Sequence, residues 1–173
     1  MNKAEIERLI DIYGRDIYSF CLYLTKSKQD ADDLYQDSFL YVIEKKKTFE
    51  QESESKNYIL SVAVRLWKDK KRKYAWRNRI IEEKYIPLQL VKDEQGSESE
   101  AENVVLNSEQ NMLIQKCVAN LPEKMRVVVL LYYMENMQIT EIAEVLHIPA
   151  GTVKSRLHKA KSILSKEFHQ ISG

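Results

Sequence analysis

The chain has 173 residues, and its 27 basic against 26 acidic side chains leave a net charge of +1, so bulk charge identifies no partner. Only 4 glycines and 3 prolines interrupt long Leu/Ile/Lys/Glu-rich periodic stretches, which argues against a sheet-rich protein and for an all-α one. The distribution of charge is more informative. Residues 1–86 carry 18 Lys/Arg against 15 Asp/Glu, residues 87–107 carry 1 against 5, and residues 108–173 carry 8 against 6. At this length one domain or two small ones are possible; the acidic middle favours two.

In chain order, Ile6, Leu9, Ile10, Tyr13, Ile17, Phe20, Cys21 and Leu24 recur at three- and four-residue steps. They predict one or two helices, with Gly14 as a candidate joint. The stretch "SKQDADDLYQDSFLYVIEKKKTF" opens a new helix, with Asp30 as the expected N-cap and Asp32 and Asp33 suited to the helix dipole. Tyr35, Phe39 and Val42 form its core stripe, and "EQESES" reads as a polar loop. A third helix is expected from about Lys56 to Lys73 or beyond, burying Ile59, Val62, Ala63 and Leu66. Residues 87–107, "PLQLVKDEQGSESEAENVVLN", have the composition of a flexible acidic linker between an N-terminal domain, 1–86, and a C-terminal domain, 108–173.

The last third places Pro122 in the first turn of a helix, where its missing N–H costs nothing. "QITEIAEVL" is a short helix with Ile139, Ile142, Ala143 and Leu146 on one face, and Pro149 forces a break. His147 sits in that break, where a positive φ would favour glycine. "IPAGTVKSRLHKAKSIL" then buries Val153, Leu157, Ala160 and Leu164. Two short helices joined by a tight turn, the second basic, make a helix-turn-helix pattern.

Three surfaces carry chemistry. The basic helix has no Asp or Glu between Val145 and Lys166, and it presents Thr152, Lys154, Ser155, Arg156, His158 and Lys159 as donors for phosphates and base edges. The stretch from Arg65 to Arg79 holds eight Lys/Arg and one acid, Asp69, interleaved with Trp67, Tyr74 and Trp76. Arg65, Lys68 and Arg72 project away from the core and would neutralise phosphates, while exposed rings would stack on unpaired bases; Trp67 lies nearer the core side. Asp33, Gln36 and Asp37, with Leu40 continuing the ridge, make an acidic face that cannot bind DNA but suits a basic partner. No nucleophile motif, phosphate loop or metal-spaced cluster accompanies these carboxylates, so neither enzymatic activity nor a cofactor or metal is expected. Cys21 and Cys117 read as buried free thiols, and no apolar run approaches the roughly 18 residues of a membrane span. The charged start, MNKAEIERLI, is unlike a signal peptide. A soluble cytoplasmic protein without membrane insertion is expected.

These surfaces, in this order, resemble a family. "DADDLYQDSFLYV" is similar to the acidic second helix of bacterial sigma factors, and "LPEKMRVVVLLYY…ITEIAEVLHIPAGTVKSRLHKAKSIL" resembles their C-terminal helix-turn-helix. The layout is that of the extracytoplasmic-function (ECF) group of the sigma-70 family. The resemblance implies that residues 1–86 are sigma region 2, residues 108–173 are region 4, and residues 87–107 thread between them. It assigns Asp33, Gln36, Asp37 and Leu40 to docking on core RNA polymerase. Arg65, Lys68, Asp69, Lys71 and Arg72 are assigned to opening and holding minus-ten promoter DNA, including its melted strand. Thr152, Lys154, Ser155, Arg156, His158 and Lys159 are assigned to reading duplex DNA at the minus-thirty-five element. It also implies an anti-sigma factor as partner. Arg65 stands where many relatives carry Asn, Gln138 where Ser or Thr is usual, and His147 where Gly is common. The residues alone also admit an autonomous helix-turn-helix regulator with an N-terminal sensor or dimerisation domain, or a helical adaptor for acidic proteins.

Overall fold

The computed structural model describes residues 2–82 and 109–172, all helical or in short connections; the acidic linker at 87–107 lies outside the described residues. Among the described residues seven α-helices follow one another. The first, α1, runs Lys3–Thr25; α2 is Lys28–Lys45 and α3 is Glu52–Glu82. In the C-terminal half, α4 is Glu109–Asn120, α5 is Glu123–Val129, α6 is Ile139–Leu146 and α7 is Ala150–Ser172. A π-helical turn, Leu130–Met134, extends α5.

Gly14 is no joint, because α1 is continuous across it. Its missing side chain instead lets α2 approach: a Cβ on Gly14 would lie 2.9 Å from the Tyr35 hydroxyl. Ser27, not Asp30, caps α2, its hydroxyl accepting from the Asp30 N–H at 3.3 Å. Asp30 is therefore a first-turn acid facing the helix dipole. Part of the expected "EQESES" loop is also helical, since α3 begins at Glu52, with Glu52 and Glu54 in its first turn. Acids favourable to the dipole offset the weak apolar signal there.

The three N-terminal helices enclose Ile17, Phe20, Leu24, Ala31, Ile59, Leu60 and Ala63, all wholly buried. Each large apolar side chain among them contributes about 1.5–3 kcal/mol by leaving water. In the C-terminal half, α5, α6 and α4 pack on α7 around Val128, Leu131, Ile142, Val153 and Ala160. Leu157 is also buried; Leu164 is only half-buried at the edge of this core. Pro122 is the N-cap of α5 rather than a residue inside its first turn. His147 ends α6 in the left-handed region, at φ 54°, as the sequence reading anticipated.

The two halves touch. Helices α1 and α3 pack against the π-helical turn and α6. Arg126 is 2% exposed and donates to Leu24 O in α1 at 3.0 Å and to Leu121 O at 3.3 Å. Lys56 of α3 pairs with Asp16 of α1 and lies 2.9 Å from Glu135 of the C-terminal half.

Candidate nucleic-acid and protein interfaces

Alternation of apolar and polar positions along α2 fixes its acidic face. Leu34, Ser38, Phe39 and Val42 point inward, which turns Asp33, Gln36, Asp37 and Leu40 to solvent. Leu40 is 56% exposed and Ile43 on the next turn 40%, so an apolar strip runs beside the carboxylates. Asp33 has a neighbour, the Lys70 ammonium 3.8 Å away, with both groups about half exposed. A solvated pair of that kind contributes little to stability. An acidic ridge flanked by exposed aliphatic side chains suits a basic helical surface better than a nucleic acid.

Helix α3 separates its functions by face. Ile59, Val62, Ala63, Val64 and Trp67 are buried, which settles Trp67 as a core residue. Tyr74 and Trp76, 67% and 65% exposed, remain open for stacking. Arg65 is exposed and holds its guanidinium 4.3 Å over the Tyr41 ring, so its plane is already orientated by an aromatic face. Asp69 and Arg72 are exposed. Lys68 and Lys71 are half-buried, and burial lowers the pKa of both. The nearby positive charges of Arg156 and Arg72 lower Lys68 further, and those of Arg126 and Lys26 lower Lys71. Lys71 also lies 4.6 Å over Trp67 and pairs with Glu123 of α5.

On α7, the buried stripe of Val153, Leu157 and Ala160 leaves one continuous polar arc, with Lys154 near one edge and Arg156 at the other. Lys154 and His158 line a shallow groove of about 200 Å³ with Tyr132, Tyr133, Ile139, Leu157 and Lys161. Lys161 lies 5.9 Å over the Tyr133 ring, and a hydrogen bond with Tyr133 raises its pKa. Ser155 and Lys159 are exposed, and Thr152 is half-buried at the helix start, its N–H donating to Pro149 O at 3.0 Å. Arg156 falls on the other side, half-buried and close enough to Lys68 for their charges to bear on each other. The expected duplex-reading set therefore runs around this arc, with Ser155, His158 and Lys159 between Lys154 and Arg156. Tyr133 escaped the sequence reading, and Lys161, one of the cations of this basic helix, was left out of the duplex-reading set although it stands seven residues after Lys154 on the same helical face. Tyr133 carries no such periodic signal, because the π-helical turn rotates it out of α-helical register.

Two family descriptions match this architecture: sigma-70 region 2 over residues 9–77, and sigma-70 region 4 over residues 111–164. The chain belongs to the sigma-70 family. Its region 2 match falls on α1–α3 and its region 4 match on α4–α7. The ECF RNA polymerase sigma factor SigW of Bacillus subtilis (strain 168) is 27% identical over 169 residues, 94% of this chain and 88% of that protein. SigX of the same organism, also an ECF RNA polymerase sigma factor, is 29% identical over 164 residues, 94% of this chain and 83% of that protein. The fold is shared with the sigma factor RpoE from Bartonella quintana, solved in complex with the anti-sigma factor NepR. That likeness has a TM-score of 0.72 at 18% identity, over 95% of this chain and 97% of the other. The sigma-70 chain described here is thus of the ECF type, with regions 2 and 4 both present.

Proposed function

We propose that this protein binds core RNA polymerase and directs promoter-specific initiation, with its residues divided among three contacts. The observation that carries this reading is the separation of an acidic–aliphatic ridge on α2 from basic, aromatic-bearing faces on α3 and α7 in a chain with both sigma-70 regions. Asp33, Gln36, Asp37 and Leu40 dock on the polymerase. Arg65, Lys68, Asp69, Lys71 and Arg72 handle minus-ten DNA, where Tyr74 and Trp76 offer stacking faces for unpaired bases. Thr152, Lys154, Ser155, Arg156, His158 and Lys159 contact the minus-thirty-five duplex, reading base edges in the major groove and anchoring on phosphates.

In this reading residues 1–86 and 108–173 are two binding modules joined by residues 87–107. Linking two individually weak contacts raises the effective concentration of the second once the first has formed. The protein itself performs no bond chemistry; it lends specificity to the polymerase in the cytoplasm. An anti-sigma factor that covers these faces would silence it, and the fold likeness to a sigma factor solved with such a partner supports one. Among the described residues no helix is long and apolar enough to cross a membrane.

The test is run-off transcription with purified core polymerase on a randomised promoter library. Discrete start sites that depend on added protein are expected. Tight operator binding without polymerase, and no transcript with it, would instead identify an autonomous helix-turn-helix regulator.

A further inference from the structure

We propose that Arg65 selects a guanine in the minus-ten element, and that Tyr41 of the neighbouring helix is the positioning residue that fixes its guanidinium for that task. The inference rests on the sigma-factor reading given above and adds to it the base selected. Arg65 leaves α3 toward solvent, and its guanidinium carbon lies 4.3 Å over the Tyr41 ring of α2, within cation–π range. The ring is itself held, because Tyr41 is half-buried against the core beside the buried Val42. Among the described residues no carboxylate or carbonyl engages the Arg65 head group, so its N–H donors stay available to a ligand. Other cations of the same stretch are differently placed. Lys70 lies 3.8 Å from Asp33, while Lys71 is taken by Glu123 and covers Trp67. Arg65 is orientated without being neutralised.

The chemistry of the fork picks the base. A guanidinium is a rigid plane of N–H donors, and guanine presents two acceptors, O6 and N7, side by side on one edge. Adenine carries a donor at one of these two places, cytosine presents a donor, and thymine a single acceptor beside its methyl group. Contact with Tyr41 covers one face of the guanidinium and leaves its edge, where the N–H groups point, open. A free arginine loses much rotamer freedom when it binds, and a ring that already holds its plane removes part of that cost. Lys68 and Arg72 project from the same face of α3, about 4.5 and 10.5 Å further along its axis, placed for backbone phosphates. Lys45, exposed at the end of α2, brings its ammonium to 5.4 Å from the same Tyr41 ring and adds a further cation there. Phosphate contacts hold register without reading sequence, so base selection falls to Arg65. Guanine offers the same edge when paired, in the major groove, and when unpaired, so the preference holds on either side of strand opening.

Run-off transcription with purified core polymerase, on a library randomised across the minus-ten element, provides the test. With the wild-type chain one position of one strand should favour guanine by about fivefold or more over the other bases. Placing 7-deazaguanine there, which keeps base pairing but replaces N7 by C–H, should remove most of that preference. Arg65→Gln should lose it too, because an amide matches adenine instead. Tyr41→Leu should reduce the guanine preference several-fold, and Tyr41→Phe, which keeps the ring, should retain it. A Tyr41→Leu chain that transcribes more weakly from every promoter yet keeps its guanine preference overturns the positioning role. One measurement needs no change at Tyr41: the Arg65 side-chain protons of the free chain, assigned by their loss in Arg65→Gln, should be shifted upfield by the ring. Random-coil shifts for them would overturn the positioning role even if Tyr41→Leu failed to fold. Protein-dependent transcripts without a guanine preference, or a preference that survives Arg65→Gln, overturn the proposal and leave the sigma reading standing. Absence of transcripts from every library member overturns the sigma reading, and this assignment with it.

Discussion

A methyl group on Gly14 would press on the Tyr35 hydroxyl, whose ring is held edge-on to Tyr18 at 5.7 Å and tilted against Phe39 at 4.9 Å. Alanine normally gains about 1 kcal/mol over glycine inside a helix, whereas forced overpacking costs about 1–3 kcal/mol. Gly14→Ala should therefore destabilise the protein by roughly 1 kcal/mol in urea unfolding. Combined with Tyr35→Phe, which removes the obstructing oxygen, the same change should become neutral or stabilising; equal effects in both backgrounds would refute the steric account. Glu135 gives a second residue-scale prediction. Burial pushes its carboxyl up to about 7 from an ordinary 4.5, with Lys56 opposing and Asp16 reinforcing. The groups facing it are Asp16 and Cys21 from α1 and Lys56 from α3, and Tyr13 lies beneath the Lys56 ammonium. Although burial lowers Lys56, its two carboxylate partners leave its pKa raised, so it stays charged throughout this range. Between pH 4.5 and 7 the folded chain retains a proton on Glu135 that the solvated carboxylate gives up. Stability should thus be highest below that window and fall as pH rises through it, by at most about 1.4 kcal/mol per pH unit. Glu135→Gln should flatten the curve; parallel profiles for wild type and variant would contradict the linkage.

Each helix makes its own prediction. Reversing charge on α2 by Asp33→Lys with Asp37→Lys adds repulsion as well as removing attraction, and should weaken binding to core polymerase by at least about tenfold. The Asp33–Lys70 pair lost in the process is solvated, so helix content and unfolding midpoint should change little. Unaltered co-elution with core polymerase would disprove docking through this face. On α3, Arg65→Ala with Lys68→Ala should reduce melted promoter more than core binding, with partial rescue on a premelted template. Equal impairment on duplex and premelted templates would reduce the segment to an electrostatic anchor. On α7, removing a phosphate contact should lower the magnitude of the log-affinity against log-salt slope by about 1. Removing a base-reading side chain should cost roughly 1–3 kcal/mol and relax preference at one base pair. Lys154→Ala, His158→Ala and Lys159→Ala in reconstituted holoenzyme, assayed on single-base promoter variants over a salt series, would sort the two kinds.

Much at this scale was legible in the sequence because local rules decide it. Periodicity announced the inward Ile59, Val62 and Ala63, and Pro149 with the left-handed His147 announced the turn before α7. The misses arose where a tertiary or polar partner decided the outcome. Ser27 took the cap from Asp30, and Gly14 answered to Tyr35, twenty-one residues away, rather than to its own backbone. The π-helical turn at Leu130–Met134 shifts the positions after it by one hydrogen-bond step, with Glu135 N–H donating to Leu130 O at 3.1 Å. No apolar spacing encodes such a shift. The inward Glu135 and the burial of Arg126 both depend on packing between distant segments.

At the scale of the whole molecule, the contacts that join the halves have a consequence for the ends of two helices. Neither α1 nor α4 carries a basic residue in its last turn, where the partial negative charge of the helix dipole collects and carbonyls lack intrahelical donors. Each receives its cation from the opposite half of the chain: the guanidinium of Arg126 serves Leu24 O near the end of α1, and the ammonium of Lys26 serves Ala119 O near the end of α4. The exchange is mutual, so parting the halves withdraws both cations at once and leaves both carbonyl ends to water. Amide hydrogen exchange in the final turns of α1 and α4 should then accelerate together in Lys26→Ala with Arg126→Ala, while the interior of α2 stays protected. Fraying at two places distant in sequence would have one cause, so each half of the chain completes a helix that the other half begins.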